Sequence, residues 1–127
     1  MPVFHRAVLD AFKPLAGTRT LAMGDTNTGM PGLDEESRFF TAAEGQWLKD
    51  LESQGWTDVW RLRNPSKRQY SYRHHKGAGF RIDQLFATHS MLGSVRDVQY
   101  DWGNPPSGSD AKGLRDHAGL IVDVSDE

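Results

Sequence analysis

The chain has 127 residues, 37% hydrophobic and 25% charged, with a formal net charge of −2. That balance fits one modest soluble domain, excludes disorder by composition, and leaves no global basic footprint for nucleic acid. The lack of cysteine removes disulfides, thiolate metal sites and a cysteine nucleophile, and no apolar run approaches a membrane span. The start, Met1-Pro2-Val3-Phe4-His5-Arg6, turns polar at once and lacks a signal-peptide pattern, so a cytoplasmic protein with no membrane partner is expected. A core of this size buries about two-thirds of the unfolded chain's surface.

Phe4, Ala7, Val8, Ala11, Phe12 and Leu15 are spaced as one helical face. They predict a helix over Val3 to Leu15, closed by Pro14 and Gly17. Thr18 to Met23 reads as a strand, running into Gly24-Asp25-Thr26-Asn27 and Thr28-Gly29. Two readings of that polar turn stand side by side. On extended backbone Asp25 and Asn27 point to the same side, and a carboxylate beside a carboxamide at a strand end can hold a metal-bound phosphate and orient a water. Asp-x-Asn-x-Gly is also ordinary turn chemistry, with Asp and Asn bonding their own backbone. A loop follows over Thr28 to Asp34, with Gly29, Pro31 and Gly32.

Glu35 to Gln54 reads as a helix with Phe40, Ala43, Trp47, Leu48 and Leu51 on one face. Thr41 followed by Glu44 marks a capping box that would move the start to Thr41, and Gly55 is the expected terminator. Trp56 to Arg63 leads into the turn Asn64-Pro65-Ser66. Gln69 to His74 and Phe80 to Thr88 read as a hairpin broken by Gly77-Ala78-Gly79. Val95 to Trp102 is a further strand, Asn104 to Gly113 a long loop, and Ala118 to Val124 a last strand. Strands outnumber helices, and the mix reads as α/β layers in a single domain over 1–127. Basic residues gather at Arg61, Arg63, Lys67, Arg68, Arg73 and Lys76, with His74, His75, Tyr70 and Tyr72 interleaved. They read either as a polyanion-facing patch or as a solvated loop.

Three polar spots sit beside strands: Asp25 with Asn27, Asp83 inside Arg81-Ile82-Asp83, and Asp116-His117 before the last strand. A carboxylate in an apolar strand needs a partner, and Asp83 paired with His117 would fix the tautomer of the imidazole. Asp116 would then be free for a hard cation such as Mg²⁺, and the set suits metal-assisted attack of water on a phosphodiester. The structural alternatives are a solvent-facing Asp83 at a strand edge and a capping or core His117. His74, His75 and His89 have no evident partner in the pattern.

Gly24-Asp25-Thr26-Asn27, Gly79-Phe80-Arg81-Ile82-Asp83 and Arg115-Asp116-His117, in that order, resemble the endonuclease/exonuclease/phosphatase superfamily, nearest its exonuclease III and abasic-site endonuclease branch. Gly55-Trp56-Thr57-Asp58-Val59-Trp60-Arg61, Asn64-Pro65 and Tyr70-Ser71-Tyr72 agree with the text between those motifs. The resemblance runs from about Thr18 to Val124. It implies an α/β fold, half of a four-layer αββα sandwich, with one mixed, mostly antiparallel sheet and helices on its outer face. It implies a Mg²⁺- or Mn²⁺-dependent phosphodiester hydrolase acting on nucleic acid, as in DNA repair. By position, Asp25 resembles the residue that activates the water or protonates the leaving oxygen, and Asn27 the carboxamide on a phosphate oxygen. Asp116 resembles a metal ligand, His117 the histidine on the scissile phosphate, and Asp83 its hydrogen-bond partner. Phe80 and Tyr72 resemble aromatic walls near the sugar pocket, suited to a flipped-out nucleotide.

Thr26 stands where the family has phenylalanine, which implies changed packing beneath the site. Arg115 stands where it has serine, which places a cation beside the phosphate position. Family domains are about twice this length, and their N-terminal half supplies an asparagine, a metal-binding glutamate and a catalytic tyrosine or histidine. Glu35, Glu36 and Glu44 lie outside the matching context. The chain therefore resembles the C-terminal half of the domain. One half alone is expected to expose an inner apolar face with parts of Leu21, Met23, Leu85, Ile121 and Val122, which suits a homodimer or a partner supplying the missing half. Two other functions fit the same residues: a catalytically incomplete half-domain that binds or assembles, and a phosphoesterase on a small or lipid phosphoester.

Overall fold

The computed structural model describes residues 2–103 and 116–125. The loop expected over Asn104 to Gly113, and Arg115, lie outside these residues. In chain order the elements are α1 (Val3–Phe12) with a 3-10 turn (Lys13–Leu15), β1 (Leu21–Asp25), α2 (Ala42–Gln54), β2 (Trp56–Asp58), α3 (Val59–Arg63), β3 (Tyr72–Arg73), β4 (Gly79–Phe80), β5 (Asp83–Thr88), α4 (His89–Leu92), β6 (Val95–Asp101) and β7 (Gly119–Val124). The mixed α/β class with antiparallel pairing is as expected. The strands divide into three small antiparallel sheets rather than one: β1-β5-β2, β3-β4 and β6-β7.

The layers follow from alternation along β1 and β5. Ala22 pairs with Phe86 and faces the helices; Leu21 pairs with Ala87, and Met23 with Leu85, on the opposite face. On the helix side, Leu9 of α1, Trp47 and Leu51 of α2, Trp56 and Phe86 form one buried cluster. On the other side, Val59, Trp60, Leu85 and Ala87 pack against Val95 and Val98 of β6. The expected exposed inner face is therefore largely covered by the β6-β7 ribbon. Leu85 is buried, Leu21 and Val122 are half-buried against this cluster, and only Met23 and Ile121 of that set are exposed.

Helix α2 begins at Ala42, not Glu35. Thr41 is the N-cap, its hydroxyl accepting from the Glu44 backbone N–H while the Glu44 carboxylate accepts from that of Thr41. The reciprocal cap outcompetes an extension toward Glu35, because the Glu35 carboxylate already binds loop backbone at Gly32, Phe39 and Phe40. Phe40 consequently belongs to a separate cluster with Phe80 and Ile82, and Ala43 is exposed. Trp47 is fully buried, its indole N–H donating to the His5 carbonyl at 2.7 Å. Gly55 ends the helix at φ +109, a left-handed conformation that favours glycine.

The predicted strand Phe80 to Thr88 breaks at Arg81-Ile82 into β4 and β5. At the break the backbone leaves the β3 ladder. The Arg81 N–H donates to the Asp34 carbonyl, and the Thr26 N–H to the Ile82 carbonyl, each at 2.8 Å. Gly29 lets this loop close, since a Cβ there would meet the Arg81 carbonyl at 2.8 Å and the Asp34 Cβ at 2.6 Å. The Arg81 side chain is 1% exposed. Its guanidinium donates to Asp34 (Nε to Oδ1, 2.8 Å), to both oxygens of Asp58 and to the Tyr100 hydroxyl at 3.1 Å. Asp34 also accepts from Arg61 and from the Met30 N–H. Burial pushes the Asp34 carboxyl up, but the charge and hydrogen bond of Arg81, the Met30 N–H and the Arg61 hydrogen bond outweigh it and hold it below the usual range.

Asp34→Ala leaves two guanidiniums without their shared carboxylate, and is expected to cost about 3–5 kcal/mol of stability, read from the urea midpoint. The Asp34 contribution is complete above the ordinary aspartate value of about 3.9 and is lost as pH falls through the lower folded value. Asp34→Asn is therefore expected to flatten the acid side of the stability–pH curve.

Candidate functional site

Asp25 closes β1, Asp83 opens β5, and the two lie directly opposite each other in the antiparallel pair. Like charges in that position destabilise a sheet unless a cation or donor joins them. The donor is His117, whose Nδ1 lies 2.9 Å from Asp83 Oδ2. A carboxylate oxygen accepts, so Nδ1 carries the proton and Nε2 is the other ring position available for chemistry. Ligand atoms of Asp25, Asp83 and His117 all lie within 4.8 Å of one another.

Local pairing brings these distant positions together. Segment 116–118 docks on the β3 edge: Arg73 N–H donates to the Asp116 carbonyl at 2.9 Å and Ala118 N–H to the Ser71 carbonyl at 2.7 Å, with an antiparallel bridge from Tyr72 to His117. The Ser71 hydroxyl is fully buried and accepts the backbone N–H groups of Ile82 and Asp83 at 2.9 and 3.0 Å. One serine thus fixes both the start of β5 and, through its carbonyl, the strand carrying His117. The Tyr100 hydroxyl donates to the Asp83 carbonyl at 2.6 Å. Burial pushes this phenol up to about 12; neighbouring Arg81 acts against that shift, while Asp58 and Asp34 add to it. The sequence reading missed Ser71 and Tyr100. A small polar residue between two strand aromatics was the available signal for Ser71.

The other candidate residues fall at different distances from this group. Asn27 adopts φ +54, and its N–H donates to Asp25 Oδ1 at 2.8 Å. Of the two readings of this stretch the turn holds and the extended one does not: the chain bends here and brings Thr26 and Thr28 inward. Asp116 is exposed beside His117, and its carboxylate does not join the three-residue group. Tyr72 is half-buried, its ring centroid 4.9 Å from that of His117 and 6.4 Å from that of Phe80. Phe80 is a core residue, 9% exposed, packed edge-on against Phe40. Arg115 lies outside the described residues.

Beneath the site Thr26 is buried, its hydroxyl bonded to the Gln84 side-chain oxygen and its carbonyl to His5 Nε2 at 2.9 Å. Gln84 in turn donates to the Thr28 carbonyl at 2.8 Å. A polar network fills this space. The basic cluster is scaffold in large part. Arg61 binds Asp34 and the Asn64 and Lys67 carbonyls, Arg63 the Val95 and Arg96 carbonyls, and Arg68 those of Gly32 and Glu35.

No protein-family model matches the sequence, and no curated protein matches it. Solved structures do match its fold. A 3′ phosphatase from Neisseria, bound to product DNA hairpin, is 20% identical with a TM-score of 0.78 over 95% of this chain and 51% of its own. The fold is that of about half of this DNA-bound phosphatase. A 3′-5′ exonuclease from Neisseria meningitidis is 21% identical with a TM-score of 0.76, and an AP endonuclease from Archaeoglobus fulgidus 19% identical with a TM-score of 0.77. Each matches 95% of this chain and 52% of its own, so the chain spans about half the length of these neighbours. No helix among the described residues is long and apolar enough to cross a membrane.

Burial pushes the His117 imidazole down, but the hydrogen bond and charge of Asp83, with the charges of Asp25 and Asp116, outweigh it and hold it above the usual histidine value. The pair's contribution to stability is complete below about pH 6.5 and is lost as pH rises through the folded value. In metal-free protein, an NMR titration is expected to place His117 above about 6.5, and Asp83→Asn to lower it.

Proposed function

We propose that this site hydrolyses phosphodiester bonds of nucleic acid with the help of a divalent cation, Mg²⁺ or Mn²⁺. The observation that carries the reading is the Asp83–His117 pair held opposite Asp25 at the strand end. The neighbours' fold, shared with a DNA-bound phosphatase, an exonuclease and an AP endonuclease, supports nucleic acid as the substrate class.

In this reading Asp83 holds the His117 Nδ1 proton, so Nε2 faces the phosphate in a defined tautomer. Asp25 takes a proton from the attacking water or returns one to the leaving oxygen, and Asn27 and Arg115 hold phosphate oxygens. Tyr72 walls the sugar pocket, and the buried Phe80 ring stacks behind it. The donor chemistry here fits a hard cation, with carboxylates at Asp25 and Asp83 beside an imidazole and the exposed Asp116 carboxylate next to it. Asp116 is the proposed ligand. Bound there, the cation would polarise the phosphate and neutralise developing charge.

A second reading rests on length. Because the chain spans about half of its neighbours, a second polypeptide or a second copy would complete the site in this reading, and Met23 and Ile121, 60% and 45% exposed, are apolar positions open to such a contact. The small- or lipid-phosphoester reading has no comparable support.

The test is incubation of the purified chain with Mg²⁺ and a duplex carrying one abasic site. Cleavage is expected, with Asp116→Ala and His117→Ala each lowering it by about 10²–10⁴-fold. Equal activity in wild type and both variants would refute the assignment. No cleavage, with a concentration-dependent dimer by light scattering, would favour the assembly reading.

A further inference from the structure

We infer that Phe39 is a stacking platform for an unpaired nucleobase, at the outer end of an aromatic series that leads from the candidate site, a subsite that rests on the nucleic-acid reading above. Phe39 is 70% exposed, among the most exposed large apolar side chains of the chain, yet its backbone is tightly held. The Glu35 carboxylate, itself 5% exposed, accepts the N–H groups of Gly32, Phe39 and Phe40 at 2.7, 2.5 and 2.9 Å. Glu35 is also bridged to Phe80 of β4. A buried carboxylate satisfied by three backbone donors fixes the loop that displays the ring.

The ring extends an aromatic series that begins at the candidate site. His117 and Tyr72 are 4.9 Å apart between centroids, Tyr72 and Phe80 6.4 Å, and Phe80 and Phe39 5.8 Å, the last edge-on. Phe80 is buried, Tyr72 and His117 are half-buried, and Phe39 is the exposed outer end. The adjoining loop opens a cleft of about 690 Å³ whose lining carries Arg38 and Arg68 together with Glu35 and Glu36, and the rings of Phe40 and Tyr70; Phe39 stands outside that lining. Arg38 is exposed, and the Arg68 guanidinium is held by carbonyls of Gly32 and Glu35, so those contacts leave its positive charge intact. An open aromatic face beside arginines is the chemistry that recognises an unstacked base and its phosphate. A duplex end or abasic gap, where a base has lost its neighbour, presents such a face.

The test is binding of a single-stranded oligonucleotide carrying 2-aminopurine, followed by anisotropy and by quenching of its fluorescence, in EDTA and at low salt. Phe39→Ala is expected to weaken binding about 5- to 100-fold and to abolish the quenching, while Phe39→Trp retains both. An unchanged urea midpoint for Phe39→Ala would exclude a folding defect, as expected for an exposed ring. Wild-type affinity and quenching in Phe39→Ala would overturn the subsite, as would failure of the wild type to bind. In the former case, a loss of self-association by light scattering in Phe39→Ala would assign the ring to a protein contact instead. Binding and quenching without hydrolysis in Mg²⁺ would leave the subsite standing and sink the hydrolytic reading; hydrolysis with an indifferent Phe39→Ala would do the reverse.

Discussion

A single buried cation organises this domain. Removing a guanidinium from water costs several kcal/mol unless its donors are met by charge, and Arg81 is met by Asp34, Asp58 and the Tyr100 hydroxyl. Those partners come from three other parts of the chain: the loop after β1, the β2–α3 junction where Asp58 is also the N-cap, and β6. Trp60 lies beneath the guanidinium, with the ring centroid 5.2 Å away. The cation therefore ties the three-stranded sheet to the ribbon that packs on it. It does so at the break between β4 and β5, where the chain changes ladders.

The candidate site inherits its geometry from that junction. Tyr100 donates from its position beside Arg81 to the Asp83 carbonyl, and Ser71 receives the next backbone N–H groups on the same turn. Asp83 thus has its backbone held from two sides before its carboxylate meets His117. The thermodynamic role of the Arg81 network and the positional role of Asp83 are connected through one hydroxyl. Preorganised groups of this kind act without reorganising when charge develops.

The half-length match to the neighbours gives the fold a particular physical character. The β6-β7 ribbon covers most of the apolar face opposite the helices, so the chain builds helix, sheet and ribbon layers within its own described residues. Among the described residues, the large apolar side chains that stay exposed are Met23 on β1, Ile121 on β7, Phe39 on the Glu35 loop, Val3 and Phe4 at the start of α1, Leu15 just after it and Leu62 on α3. Phe39 differs from the others in lying at the end of an aromatic series that leads to the site.

Much was legible in the residues themselves. Helix spacing located α1, although Phe4, Ala7, Ala11 and Leu15 of the face it marked are exposed and the helix buries His5 and Leu9; the Thr41–Glu44 box and Gly55 bounded α2, and the polar spots at Asp25, Asp83 and His117 stood out because charges beside apolar strands need partners. These are local signals, carried by neighbours three or four positions apart or by a residue's own chemistry. The sequence could not show that Phe40 leaves the α2 face, that Arg61 and Arg68 are spent on the scaffold, or that Arg81 is buried in the core. Each of those depends on which distant carbonyl or carboxylate reaches the group first. The turn at Asp25–Asn27, one of the two readings of that stretch, is the one the structure adopts. By itself the sequence determined the two longer helices, the rough place of most strands, the ordered motifs and the residue types of the site. Only the tertiary structure decided which charges meet, because the free energy of a buried ion pair is set by groups far apart in the chain and near in space.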